Sequence, residues 1–410
     1  MTMTPIFLLL VAVASSEANF FNNNACHNWI DYYFINVSPN CWYEPDVQAT
    51  TQERLERHFG TDGYENYTVT TKDGYILLMF RILRENPKGI VVLQHPISVD
   101  GVVWIDQGNA STAINFWKQG YEVWLPNHRG TWYSEGHTNL TVHDYNYWNF
   151  TFHEIGMYDY SAFFEKISEV TNRTDLIFVG HSMAGSSSLA YASLNPEHAK
   201  KYLKIIMLIG SVSYMKNVWS PLKYLSPFIG VIQVFMKSLG IGGFFTKGSI
   251  ETAIASWGIN LPIKDLVMAI IMAFTGWTPG EFDPSLYSLM GTALKGTGLG
   301  VYYHYAQIVN AGGRYIMWDY GKQGNLIAYN STTPPEYPVE NINVPVYLLT
   351  SSSDSCATIG DADILYHKLS NATKKYGKFE TSGLSHVDVH WGKDRNRFYD
   401  NILELIAKIL

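Results

Sequence analysis

A chain of 410 residues, 47% hydrophobic and 16% charged, is long enough for one large α/β domain with an inserted subdomain, or for two domains. Its net charge of -7 and the absence of a long basic run argue against a nucleic-acid partner. No low-complexity tract or internal repeat interrupts it, and an aromatic content of 15% suits broad apolar surfaces as well as a core.

Residues Pro5 to Ala14 form an apolar run behind an uncharged start, with small residues around Ser16-Glu17-Ala18. This predicts a secretory signal over residues 1–18, too short to span a bilayer as a helix. Eight Asn-x-Ser/Thr sequons, at Asn36, Asn66, Asn109, Asn139, Asn149, Asn172, Asn330 and Asn371, agree with a secreted or lysosomal lumenal address. Three cysteines are too few to define the fold. Cys26 and Cys41 are the candidates for a disulfide, which leaves Cys356 as a small buried residue rather than a nucleophile, since no histidine adjoins it in sequence.

Asn19 to Glu56 is polar and aromatic without a clear period and reads as a covering segment. Tyr64 to Thr70 and Tyr75 to Leu83 alternate around a Lys72-Asp73-Gly74 turn, which predicts a β-hairpin. Gly89 to Gln94 (GIVVLQ) is a strand buried on both faces, and helical patterning follows at Ser111 to Gln119. The alternation repeats: Tyr121 to Leu125 a strand, Ile155 to Val170 a helix, Leu176 to Val179 and Leu203 to Ile209 strands. Val344 to Thr350 and Lys378 to Thr381 complete the strands, and Phe398 to Leu410 closes the chain as a helix striped by Ile402, Leu405, Ile406 and Ile409. Strands alternating with helices imply a mostly parallel sheet covered on both faces and opened by an antiparallel hairpin.

Between Ser213 and Asn343 that rhythm fails. Apolar helices are expected at Pro227 to Leu239, Ile263 to Phe274 and Tyr302 to Ile308, broken by glycine and proline. Lys237 and Gly230, Gly240, Gly242, Gly243 and Gly248 speak against a membrane span there and for a cap inserted over the sheet edge. The expected organisation is a core over residues 19–212 and 344–410 interrupted by a helical cap over 213–343, with one face of the cap meeting a greasy ligand or interface.

Chemistry converges on LIFVGHSMAG, residues 176–185, where a buried strand breaks sharply into a helix with Ser182 at the apex. The strand from Val346 ends in Ser351-Ser352-Ser353-Asp354, and the last strand is followed by Gly383-Leu384-Ser385-His386. Serine, acid and histidine, each just past a strand's carboxyl end, stand in the order that this fold class uses. His386 would take the Ser182 proton and Asp354 would orient the imidazole, while the N–H groups of Met183 and Ile97 would hold the oxyanion; Pro96 has none to offer. His386-x-Asp388-x-His390 would set metal-ligand types on one face of a strand, but His386 is already claimed and no fourth ligand clusters there. Asp361 and Asp363 lie farther into the loop and read as helix caps. His128, His137, His143 and His153 read as surface or hydrogen-bonding residues, and His181, on a tight elbow, as pointing away from the site.

These residues resemble the acid lipase family of α/β-hydrolases, the gastric and lysosomal triacylglycerol and cholesteryl-ester lipases. The likeness runs from about Gly63 to the C-terminus through KDGYILLMFRI, VVLQHPI, GYEVWLPNHRGTWYS, VGHSMAG, PPEYPVENINVPVYLL and LSHVDVHWG. It departs from the family pattern at Pro96 and Ile97, Met183 and Ala184. The resemblance implies an α/β-hydrolase fold and hydrolysis of long-chain fatty-acid esters, triacylglycerol or steryl esters, at a droplet or micelle surface. It matches Ser182 to the nucleophile, Asp354 to the acid, His386 to the base, and Ile97 and Met183 to the oxyanion donors. No metal or organic cofactor is implied. The competing expectations are a lipid carrier that kept the fold and lost turnover, and a soluble short-chain esterase.

Overall fold

The computed structural model describes residues 23–253 and 264–410; the expected signal segment and Ile263 lie outside the described residues. Its centre is a nine-stranded sheet, labelled here β1 (Tyr64–Thr70), β2 (Tyr75–Ile82), β3 (Ile90–Gln94), β4 (Glu122–Pro126), β5 (Gly136–His137), β6 (Leu176–His181), β7 (Leu203–Ile209), β8 (Val346–Ser351) and β9 (Lys378–Thr381). The order across the sheet is β9-β8-β7-β6-β3-β4-β2-β1, with β5 paired to β2. Strands from β9 through β4 are mutually parallel, while β1, β2 and β5 run antiparallel at one side. Every residue of β3, β4 and β6 is buried, as expected for strands covered on both faces. From β3 the chain goes first to β4 on one side and then to β6 on the other. The loops after β3 and β6 therefore face each other at the carboxyl edge, where doubly wound sheets place their sites.

Two apolar layers cover the sheet. One includes Phe163, Phe164 and Ile167 of α3 (Tyr160–Thr171), together with α4 (Met183–Leu194). The other includes Phe116 of α2 (Thr112–Lys118) and Phe398, Ile402 and Ile406 of the C-terminal helix Asn396–Ile409. The helix expected from Ile155 instead begins at Phe152 and passes through a π turn at Ile155–Asp159. Gly156 sits in that turn against α4: a Cβ there would lie 2.4 Å from the Ser187 carbonyl oxygen, so the backbones touch directly.

The N-terminal segment has more structure than its irregular composition predicts. Strands Asn24–Cys26 and Cys41–Tyr43 pair, Cys26 and Cys41 are joined by a disulfide, and α1 (Thr51–Phe59) starts with a capping box between Thr50 and Glu53. Between β7 and β8 the chain leaves the sheet and forms α5 (Ile229–Ser238), α6 (Lys264–Thr275) and α7 (Leu299–Asn310), with shorter helical turns among them. His304 of α7 stacks on Phe152 with ring centroids 4.0 Å apart, which ties this inserted stretch to the layer over α4.

Arg129, after β4, is fully buried. Its guanidinium bonds Asp159 at 2.8 Å and Asp73 at 2.5 Å and lies 4.0 Å over the Tyr75 ring, so one side chain ties the β4 loop to the β1–β2 turn and to the π turn. Arg129→Met should lower the unfolding free energy by about 3–5 kcal/mol, because it strands Asp159 in the interior; urea titration measures this, and a loss below about 1 kcal/mol would contradict the assignment. A second expectation concerns acid. Burial pushes His304 down to about 3 from its ordinary 6.5, so the folded protein excludes a proton that the unfolded chain accepts. The stability contributed by the neutral ring is present above pH 6.5 and is lost as the pH falls toward 3. His304→Phe should flatten the dependence of unfolding free energy on pH between 6 and 4 by about 1.4 kcal/mol per unit, and an unchanged slope would refute this.

Candidate active site

Ser182 sits between β6 and α4 at φ 57°, ψ -113°, a left-handed conformation that few non-glycine residues adopt. Its N–H donates to the Ile209 carbonyl at 3.1 Å and its own carbonyl accepts from Gly185 N–H at 2.9 Å. Small neighbours make the turn possible: a Cβ on Gly185 would lie 2.3 Å from Ser211 Oγ, and one on Gly180 would lie 2.9 Å from the Ala184 Cβ. Ala184 is therefore accommodated because Gly180, facing it, has no side chain.

The hydroxyl of Ser182 donates to His386 Nε2 at 2.7 Å, and His386 Nδ1–H donates to Asp354 Oδ2 at 2.7 Å. The other carboxylate oxygen accepts from the N–H groups of Cys356 and Ala357, each at 2.8 Å, which fixes the orientation of the acid. Ser182, Asp354 and His386 are 4%, 3% and 8% exposed, so the chain of hydrogen bonds runs largely out of water. The sequence reading placed all three at strand ends; what it missed are the parts that hold them. Gly210, after β7, has φ +54°, and a Cβ there would lie 3.1 Å from Asp354 Oδ2. The Thr275 carbonyl, last in α6, accepts from His386 N–H at 2.9 Å and from Ser355 N–H at 3.3 Å. Asp388 accepts from Ser385 N–H and from the Thr278 hydroxyl, both at 2.6 Å, and so secures the histidine loop to the inserted stretch.

Met183 is the first residue of α4, where helix N–H groups lack intrahelical partners. Among the described residues, neither its N–H nor that of Ile97 donates to a protein acceptor. The Pro96 carbonyl is hydrogen-bonded by the buried His95 ring at 2.9 Å, and the next turn carries Ser98 at φ 58°, so the proline loop is pinned on both sides.

Several expectations change. His386, Asp388 and His390 do not share a strand; Asp388–Trp391 is a helical turn, which sends the three side chains to different partners. Asp361 does not cap its helix: Thr358 does, and the Asp361 carboxylate accepts from Asn217 N–H, while Asp363 pairs with Lys378. Of the two expectations for His128, hydrogen bonding holds and surface exposure does not: it is fully buried, its Nδ1 lies 3.2 Å from the Arg129 carbonyl and its ring 4.0 Å from that of His95, and burial pushes it down to about 4. His181 does not point away; its ring centroid lies 4.8 Å from that of His386. Asp354, Cys356 and His386 bring potential ligand atoms within 4.8 Å of one another. The donor set does not fit a metal, because Asp354 and His386 are hydrogen-bonded to each other and burial raises the Cys356 thiol, whereas ligation needs the thiolate. All eight sequon asparagines are exposed.

Above Ser182 lies a cavity of about 360 Å³ whose wall includes Ile97, Val212, Met215, Leu225, Tyr305 and Val309. Ser182 and His386 also line it.

Comparison with known proteins agrees with this architecture. Residues 89–215 match the family model for the alpha/beta hydrolase fold, and residues 56–108 match a partial alpha/beta-hydrolase lipase region. Lipase member K of Mus musculus is 30% identical over 360 residues, covering 85% of this chain and 88% of its own length. Gastric triacylglycerol lipase of Rattus norvegicus is 29% identical over 358 residues, covering 84% and 88%. A solved structure from Sulfolobus solfataricus, a candidate lipase, shares the fold with a TM-score of 0.57 at 14% identity, covering 86% and 96%. With a strained serine at the carboxyl edge of an α/β-hydrolase sheet and lipase relatives along most of its length, the chain belongs to the acid lipase family and is an ester hydrolase of the lipase type.

Proposed function

We propose that this lipase cleaves long-chain lipid esters at a lipid–water surface, with Ser182 as nucleophile, His386 as general base and acid, and Asp354 as its orienting carboxylate. The observation that carries the reading is the continuous hydrogen-bonded chain from Asp354 through His386 to Ser182, opening onto a cavity with an apolar wall. Ser182 Oγ attacks the ester carbonyl carbon as His386 Nε2 takes its proton. The carbonyl oxygen becomes an oxyanion held by the N–H groups of Ile97 and Met183. Collapse breaks the bond to the alkoxy oxygen, which leaves as the alcohol with the proton from His386. Water, deprotonated by the same imidazole, then attacks the acyl-enzyme and releases the fatty acid.

The lipid surface is inferred from α5 and the turn before it. Leu225 lines the cavity yet is 50% exposed, and Val231, Val234 and Phe235 are 74%, 70% and 58% exposed. No residue of α5 is buried, an arrangement that water disfavours and a lipid surface would relieve. No helix among the described residues is long and apolar enough to cross a membrane, so contact of this kind would be peripheral. The eight exposed sequons and the apolar leader favour a secreted or lumenal glycoprotein.

Ser182→Ala should cut hydrolysis of an emulsified long-chain triacylglycerol by at least about a thousandfold without changing the melting temperature, and should abolish labelling by a fluorophosphonate. Retained turnover would sink the proposed nucleophile, and lipid binding by the unaltered chain without labelling would mark a carrier instead. Val231→Glu combined with Val234→Glu should reduce the rate on emulsified substrate about tenfold while changing the rate on a monomeric short-chain ester less than twofold. Equal loss on both substrates would refute docking through α5.

A further inference from the structure

A second pair of hydrogen-bonded imidazoles stands beside the general base. His390 Nε2 and His181 Nδ1 are 3.1 Å apart, and both residues are 2% exposed. The His181 ring packs against His386 with centroids 4.8 Å apart, and all three histidines border the cavity. The outer nitrogens, His181 Nε2 and His390 Nδ1, have no side-chain hydrogen-bond partner among the described residues; the His386 backbone acts on the His181 ring and the Val103 backbone on the His390 ring, and the bond between the two rings is the side-chain restraint they share.

His390 is itself held firmly. Its ring meets Trp104 edge-on at 4.8 Å, its carbonyl accepts from the Gln107 amide, and the adjacent Trp391 Nε1–H donates to Asp106 at 2.9 Å. His181, by contrast, is the last residue of β6, and His390 is the side chain hydrogen-bonded to its ring. Burial lowers both side chains, His390 to about 3, so each stands as a neutral ring beside the base.

The reaction makes this brace necessary. While Ser182 Oγ is bonded to His386 Nε2, the imidazole is gripped at both nitrogens. Once the hydroxyl proton has moved and Oγ has bonded to carbon, the Asp354 bond is the only strong one left, and the ring must still aim its N–H at the departing alkoxy oxygen. A neutral wall limits its rotation without repelling the charge it then carries. We propose that His390, acting through its hydrogen bond to His181, is a positioning residue that keeps the His386 ring aligned between proton uptake and delivery.

This inference rests on His386 being the base, and the experiment separates the two. His390→Leu and His390→Gln are compared with the unaltered full-length chain on a monomeric short-chain ester, with melting temperatures recorded. Glutamine can still donate an N–H to His181 Nδ1, and leucine cannot. The leucine variant should lose on the order of tenfold in kcat with KM within twofold and an unchanged melt, and glutamine should restore kcat to within about threefold. In a His181→Phe background, His390→Leu should cost nothing further, since the effect is transmitted through that ring. Full kcat in the leucine variant, or equal loss in the leucine and glutamine variants, would overturn the proposal. If the unaltered chain itself fails to react with a fluorophosphonate, it is the assignment of Ser182 and His386 that falls, before any His390 variant is compared.

Discussion

The site depends first on holding the backbone at Ser182 where an L-residue does not rest by choice. A non-glycine residue in such a region carries on the order of 1–3 kcal/mol of strain and stays there only if its surroundings insist. The parallel register of β6 and β7, which sets His181 opposite Ile209, delivers the Ile209 carbonyl to the Ser182 N–H. Gly180 and Gly185 remove the side chains that would push the turn open. The sheet is thus the support that keeps one hydroxyl projecting over its edge, and the pairing of β7 with β8 carries the acid loop to the same level.

Much of this was legible in the sequence where the signal is local. Buried strands are short apolar runs, and β3, β6, β7 and β9 lie within a residue or two of where those runs predict them. Ser182, Asp354 and His386 could be selected because each follows a strand in a fixed order, a pattern that survives without knowledge of any contact. Helix α1 escaped notice although Thr50-x-x-Glu53 is a readable start signal, because the residues around it show no apolar period. The burial of His128 and the closeness of His181 to His386 were illegible for a different reason. Both arise from neighbours far along the chain, such as His390, 209 positions from His181, and local composition records nothing of them.

The same distinction explains why charge is where it is. Arg129 and Asp159 are both fully buried and hydrogen-bonded to each other, with Asp73 sharing the guanidinium. Such a pair adds little net stability over an apolar filling of the same shape, but each charge needs its partner once buried. It fixes the loop after β4 relative to the π turn, whose Gly156 packs against Ser187 of α4.

The Thr275 carbonyl, shared by the histidine and acid loops, divides the inserted stretch into parts with unequal freedom to diverge. The end of α6 is tied to the loops of Asp354 and His386: Gly276 admits no side chain, since a Cβ would lie 2.0 Å from the Ser353 carbonyl oxygen, so nearly any change there disturbs both loops together. Among the described residues, helix α5 makes no such bond to either loop and buries none of its residues. Substitutions on its outward surface therefore meet few packing constraints, so this part of the chain can drift in sequence while the geometry around Ser182, Asp354 and His386 is kept.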